Sequence, residues 1–369
     1  MTNAVGSEDI GKLLILSLEE SRWNASLERR LRRVRPAGVL LNVARLPDAE
    51  QTADLLARIA RAVETTPFLC LEEEGGEIDP LQAILPRLPS PRLAAQNGES
   101  AVERLGSLIG AGLELLGFNA SFAPRLDLGV SGSEVDSGGQ TFSSDAREVT
   151  RCGEAFLNGL LRHRVVACAK HFPGLGPAPV ERSAGEIVIG KPMGGLWRED
   201  LLPYRHLLRR MLMVLLSHAA YKAYDYDPLQ PAAVSERVMN GLLRTKLGYR
   251  GLCVADLARP QLASSSEEAG ASAVRSVTAG CDLLIVREEG PTPEAIQEAL
   301  RHAMESGKLA MDRATQAVGR VTEARRGLKA PPATVAKSAL DRLAQSYARF
   351  GSEIAKEPTI RALSNSLRP

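Results

Sequence analysis

Aromatic residues are scarce: 2 Trp, 6 Tyr and 7 Phe make up 4% of 369 residues. So few large rings must serve both the core and any surface that stacks a ligand ring. Cysteine is scarce as well, with five residues (Cys70, Cys152, Cys168, Cys253, Cys281), scattered and without a CxxC pair. That pattern excludes a disulfide framework or a thiolate zinc cluster and reads as buried, reduced thiols in a cytoplasmic protein. No apolar run approaches the roughly 20 residues needed to span a bilayer. The first residues, MTNAVGSEDIGKLLILSLEE, lack the basic start and cleavage site of a secretory signal. Excess charge of one sign is absent too: 46 basic against 44 acidic residues give a formal charge of +2. No membrane partner is expected, and nothing in the charge calls for nucleic acid. HExxH does not occur, and Gly185–Lys191 (GEIVIGK) is followed by Pro192 where a phosphate loop needs Ser or Thr. Neither a metal nor an organic cofactor is expected.

What is present is an alternation of short apolar runs and longer helical patterns. Strands are expected at Lys12–Ser17, Ala37–Asn42, Pro67–Glu72, Ala120–Pro124, Val165–Lys170, Met211–Ser217, Leu252–Asp256 and Asp282–Arg287. Their continuous apolar character suits parallel strands buried on both faces. Helices are expected at Asp48–Val63, Ala101–Leu116, Asp145–Leu161, Ser235–Leu247 and Pro293–Ser306, with Ser235 a start and Gly248 a stop. Eight such units fit an α/β fold of the (β/α)8 TIM-barrel type, over residues 1–330. A further helix is expected at 311–328, and after Pro331–Pro332 a polar helical extension, 331–369. From Asp312 onward eleven Lys/Arg face five Asp/Glu, which reads as a solvated face. Four expected strands end in polar residues, Glu72, Lys170, Ser217–His218 and Asp256, and barrel chemistry gathers at strand C-termini.

The block KHFPGLG begins at Lys170, with FLNGLLRHRVVACA before it and PAAVSERVMNGLLRTKLGYRGLCVAD downstream. With LEEEGGEIDPL and GFNASFAPRLDLG, these segments resemble glycoside hydrolase family 3, over roughly residues 10–330 in the same motif order. Within it the likeness is to the single-barrel β-N-acetylhexosaminidases of the NagZ type. The resemblance implies a retaining β-glycosidase whose partner is a carbohydrate, a β-linked amino sugar or related glycoside. It places the nucleophile at Asp256, in VADLA, and sugar-hydroxyl contacts at Lys170 and His171. His218 keeps its place after strand six, while Asp127 and Asp282 read as structural hydrogen-bonding groups.

Several matched positions depart from the pattern. The family's Asp-Ser-His loop triplet, which carries the proton, reads Glu181-Arg182-Ser183 here. Serine has no pKa near neutrality and cannot transfer that proton. Glu181 is the candidate acid/base, with Glu186 a second loop carboxylate. The family's D-Q-E-G-G-R appears as Glu72-Glu73-Glu74-Gly75-Gly76-Glu77, and a substrate-recognising arginine corresponds to Gln140. The expectation is a family 3 barrel with weak or lost N-acetylhexosaminidase activity; the alternative is a non-catalytic carbohydrate-binding or protein-interaction barrel. A Schiff-base role for Lys170 explains the KHFPG context less well. The candidate stacking aromatics are Phe142, Trp197, Tyr221 and Tyr224, with Phe172 assigned to packing. The sequence leaves the oligomeric state open.

Overall fold

The computed structural model describes residues 6–19, 21–63, 65–129, 138–176, 180–183, 186–257, 266–287 and 292–366. Among them the strands are β1 (Leu14–Leu18), β2 (Gly38–Leu41), β3 (Phe68–Leu71), β4 (Ala120–Ser121), β5 (Val166–Phe172) and β6 (Val180–Ser183). Next come β7 (Glu186–Ile189), β8 (Met213–Leu216), β9 (Ala220–Tyr221), β10 (Leu252–Asp256) and β11 (Leu283–Arg287). Eight of them close a parallel barrel in the order β1-β11-β10-β8-β5-β4-β3-β2. Each of the eight expected strands is one of its staves, so the (β/α)8 reading holds.

Short polar residues start the surrounding helices. Asn24 accepts from Leu27 N at the head of α1 (Ala25–Val34), and Asp48 accepts from Gln51 N at the head of α2 (Ala49–Ala62). Ser90, followed by Pro91, caps α3 (Pro91–Gln96). After α4 (Glu99–Leu116), Asp145 accepts from two amides at the head of α5 (Ala146–Leu161). These side chains satisfy amides that have no partner within the helix. The remaining helices are α6 (Met193–Arg198), α7 (Leu201–Leu207), Arg237–Lys246, α8 (Ser266–Ala279), α9 (Pro293–Glu305), α10 (Met311–Arg325) and α11 (Lys337–Ser366). Ser235 Oγ accepts from Val238 N, and Gly248 at φ +68° ends that turn, as expected of both.

Two cores follow from the pleat. Ile15, Leu40, Phe68, Cys70, Phe122, Cys168, Met213, Leu215, Leu252, Val254, Leu283 and Ile285 fill the barrel interior. The alternate residues of the same strands, among them Leu14, Leu16, Val39, Leu69 and Leu71, pack outward with the helices. Parallel strands covered on both faces have no solvated side, which is why their sequences run apolar without alternation.

Beyond the barrel, β6 and β7 form an antiparallel hairpin whose second strand pairs with β9. Because β9 follows the C-terminus of β8, the hairpin belongs to the strand C-terminal end. The sequence reading places Glu181-Arg182-Ser183 and Glu186 in a loop after KHFPG; cross-strand pairing puts them in a hairpin. Asp282, just before β11, accepts from Arg244, from Arg320 at 2.9 Å, from Arg313 at 3.2 Å and from Cys253 N at 2.9 Å. That cluster ties β10, β11 and α10 together, in keeping with a structural aspartate. In α11, Tyr347, Phe350 and Ile354 are buried against α4, and the Tyr347 hydroxyl donates to Leu108 O at 2.9 Å.

Candidate functional site

Side chains alternate along a strand, so each interior file can be followed to the C-terminal end. Cys70 is followed by Glu72, Cys168 by Lys170, Val254 by Asp256 and Ile285 by Arg287. The barrel geometry therefore turns an apolar interior into a polar top layer at the mouth. Glu72, Lys170 and Asp256 all belong to that layer.

Lys170 is buried, 1% exposed, and its ammonium lies between two carboxylates. It donates to Glu72 and sits 3.1 Å from Glu74 Oε2. Glu72 is half-exposed, whereas Glu74 is buried. Desolvation pushes the Glu72 carboxyl up, but Lys170, with His171 and Arg125, more than offsets this and holds it down to about 2. Glu72 is consequently a fixed anion at any physiological pH. Pairing lets a lysine remain charged where an isolated one would be costly.

His171 lies at an irregularity in the β5–β8 register, between Lys170 and Phe172. Its Nδ1 is 2.7 Å from Asp127 Oδ2, and its backbone N–H donates to Asp127 Oδ1 at 3.3 Å. Asp127 also accepts from Leu175 N at 2.9 Å, so one carboxylate orients the imidazole and pins the KHFPGLG turn. Burial raises the Asp127 carboxyl, but His171, Arg125 and the Leu175 amide bring it below the ordinary carboxylate range. The His218 ring meets His171 edge-on, centroids 6.2 Å apart. Lys170, His171 and His218 thus lie on the adjoining ends of β5 and β8, and Glu72 reaches Lys170 from β3, across β4.

Asp256 terminates β10, paired in register with Ile285, and is partly exposed. Leu257 beside it is buried and donates its N–H to Ile285 O at 3.1 Å. Gln140 is buried on the segment between β4 and α5. Nearby, Arg92 donates to Gly129 O at 3.4 Å and to Thr141 Oγ1 at 2.8 Å. The Glu181 backbone pairs with Val188 in the hairpin, while its side chain and that of Glu186 lie outside the described residues.

Glu74 and Arg125 belong to this cluster and escaped the sequence reading. Arg125 makes an isolated bridge to Lys170 and acts electrostatically on both Glu72 and Asp127. Its position right after a strand, in APRLDLG, was the available signal. For Glu74 the signal was a third consecutive acid ahead of two glycines.

The aromatic candidates are mostly occupied elsewhere. Phe172 packs edge-on against Tyr204 at 5.1 Å, and Phe142 lies 6.2 Å from Phe156. Tyr221 is buried and donates to Gly174 O at 2.8 Å. Trp197 carries Arg205 and Lys246 at 4.4 and 4.3 Å from its ring centroid, so two cations already use it. Tyr226, 77% exposed on the segment after β9, is an aromatic the sequence reading passed over. All five cysteines are buried and unpaired, and burial pushes Cys152 and Cys253 up to about 12. Thiolate chemistry is thereby suppressed. Among the described residues no helix is long and apolar enough to cross a membrane.

Comparison with known proteins agrees with the barrel fold. The glycosyl hydrolase family 3 N-terminal domain matches residues 7–324. A β-hexosaminidase of Pseudomonas aeruginosa is 29% identical over 282 residues, 76% of this chain and 83% of that protein. One from Bordetella pertussis is 30% identical over 268 residues, 70% of this chain and 75% of that one. Among solved structures, a family 3 β-N-acetylglucosaminidase from Paenibacillus sp. str. FPU-7 superposes with a TM-score of 0.80 at 25% identity, covering 94% of this chain and 68% of its own.

Proposed function

Because the chain belongs to the family of the glycosyl hydrolase family 3 N-terminal domain, we propose that its barrel mouth binds a β-linked sugar and that N-acetylhexosaminidase turnover there is weak or lost. The β-hexosaminidases it resembles supply the substrate class. One observation carries the second half of the reading: residues 174–192, from the end of KHFPG through the hairpin, contain no histidine. The proton carrier that the family keeps on this segment is replaced by Ser183.

In the residual mechanism Asp256 attacks the anomeric carbon and forms a glycosyl-enzyme. The leaving oxygen needs a proton, for which Glu181 is the proposed donor, later taking one from water. A glutamate does this at neutral pH only where its surroundings raise its pKa. Without an efficient acid the rate falls by about 10²–10⁴-fold. Lys170, His171, Glu72, His218 and Gln140 are the proposed sugar contacts. With Nδ1 against Asp127, His171 is left with Nε2 for a sugar hydroxyl. Binding without turnover, the second reading, is favoured by the ion pairs already holding the Lys170 ammonium, which weaken its call on a reacting sugar. A cytoplasmic location is in keeping with five buried, unpaired thiols.

Treatment with an activated 2-fluoro sugar, followed by intact-mass and peptide analysis, separates the two readings. A label on Asp256 identifies a working nucleophile with slow turnover. Absence of label together with measurable sugar binding identifies the non-catalytic barrel.

A further inference from the structure

The segment after β3 buries two acids that the mouth chemistry does not use. Glu73 is 1% exposed and Asp79 5%. Each takes a backbone amide: Gly75 N donates to Glu73 Oε1 at 2.7 Å, and Leu81 N to Asp79 Oδ1 at 2.9 Å. Among the described residues no N–H or O–H donor reaches Glu73 Oε2. What the Glu73 carboxyl meets instead is the Asp79 carboxyl, hydrogen-bonded side chain to side chain. Two carboxylates offer only acceptors, so this bond exists only while a proton lies between them. Burial raises both carboxyls, and the Asp79 charge lifts Glu73 further, well above the ordinary range. The other groups facing the pair do not replace that proton. Glu74 adds a like charge from the next position. Arg87 acts on Asp79, but its side chain is exposed and donates to Gln82 Oε1 at 3.1 Å. From α11, Tyr347 approaches both acids, yet its hydroxyl donates to Leu108 O. From β4, Ser121 Oγ reaches only the Glu73 backbone O, at 3.4 Å.

The pair sits inside the turn that serves Lys170. Glu72 and Glu74, the two partners of the ammonium, flank Glu73 directly. Gly75 at φ +84° and Gly76 at φ +90° then fold the chain back, and Gly76 N donates to Leu88 O at 3.1 Å. The bond from Gly75 N to Glu73 closes that turn, and the Asp79 contact ties it to the next one, where Gln82 N donates to Asp79 O at 3.3 Å. We propose that Glu73 and Asp79 are positioning residues: one shared proton holds the 72–81 segment folded and thereby keeps Glu72 and Glu74 on Lys170. Loss of that proton as pH rises leaves two buried anions in contact beside Glu74 and drives the segment open. Sugar affinity at the mouth falls along the same alkaline limb, a consequence that rests on the carbohydrate reading above. In the family's D-Q-E-G-G-R pattern a glutamine stands at the position of Glu73. Its amide would donate at every pH, whereas the glutamate donates only while protonated.

Hydrogen exchange of the full chain between pH 5 and 9, read by mass spectrometry on peptides covering residues 72–82 and corrected for the intrinsic rate, tests this. Opening linked to release of one proton becomes about tenfold more favourable per pH unit above the pair's pKa. The amides of Gly75, Gly76, Leu81 and Gln82 should lose protection with that slope. Glu73→Gln and Asp79→Asn each supply a permanent donor, and both should abolish the slope while keeping the protection, with circular dichroism confirming that they fold. Protection independent of pH in the native chain, or a slope that both variants retain, overturns the proposal. Calorimetric titration with methyl N-acetyl-β-glucosaminide is the second arm. Affinity should fall along the same limb in the native chain and stay level in Glu73→Gln. An equal fall in both overturns the link from the pair to the mouth. An exchange slope without sugar binding at any pH overturns the carbohydrate reading and leaves the shared proton standing.

Discussion

Asp127 and His171, 44 positions apart in the chain, meet at 2.7 Å, the buried carboxylate gripping Nδ1 of the imidazole at the barrel mouth. The same carboxylate takes the backbone amides of His171 and Leu175. One side chain therefore sets both the ring and the turn that presents it.

Asp127→Asn keeps the size but loses the charge and one acceptor. It should cost about 1.5–3 kcal/mol, the range for hydrogen bonds to charged groups, read from urea midpoints at pH 7. The Asp127 carboxyl sits below its ordinary value in the fold. Its contribution is therefore complete above about pH 4 and disappears as pH falls through the depressed folded value. The acid limb of a stability-versus-pH curve should be shallower in the variant.

Glu73 has the opposite sign. It is buried, accepts from Gly75 N at 2.7 Å, and burial together with the neighbouring Asp79 carboxylate holds its own carboxyl well above the ordinary range. The unfolded chain releases this proton first, so native stability declines as pH rises from the ordinary glutamate value, about 4.3, toward the folded one. Glu73→Gln should flatten that decline, raising Tm at pH 8 relative to pH 5 compared with the native chain.

Phe350 lies in α11, 1% exposed, with the Arg104 guanidinium 4.9 Å from its ring centroid. Phe350→Ala should destabilise the whole protein by about 3–5 kcal/mol, as large-to-small changes in a core do. A single cooperative unfolding transition at lower denaturant would show that α11 is part of the barrel's folding unit. Loss of α11 signal alone, with the barrel transition unmoved, would contradict it.

Asp282 faces three arginines and a backbone amide from full burial. Asp282→Ala should cost about 3–5 kcal/mol, because Arg244 and Arg313 would stay largely buried without their counter-charge. Calorimetric Tm is the readout.

Much of the fold is legible in the chain. Runs such as AGVLL, PFLCL and DLLIV announce two-sided burial, and all eight became barrel staves. The hairpin was not legible, because VERS and EIVI are short and take their strand character from pairing with each other and with β9. Polarity misled at α11: Tyr347, Phe350 and Ile354, spaced by three and four, form a buried stripe that average composition hides. At the mouth, strand-end positions identified Glu72, Lys170 and Asp256. The clasp of His171 by Asp127 depends on β4 and β5 lying side by side, and the second partner of Lys170 reaches it across β4 from the end of β3. Sequence spacing cannot supply that.

The most direct test of the central claim is turnover of nitrophenyl N-acetyl-β-glucosaminide by the native chain and by Asp256→Ala, at equal concentration and neutral pH. The proposed function, resting on the absence of histidine from residues 174–192, predicts little or no release of nitrophenol, with the two proteins nearly alike. Brisk release by the native chain, abolished by Asp256→Ala, would contradict the account.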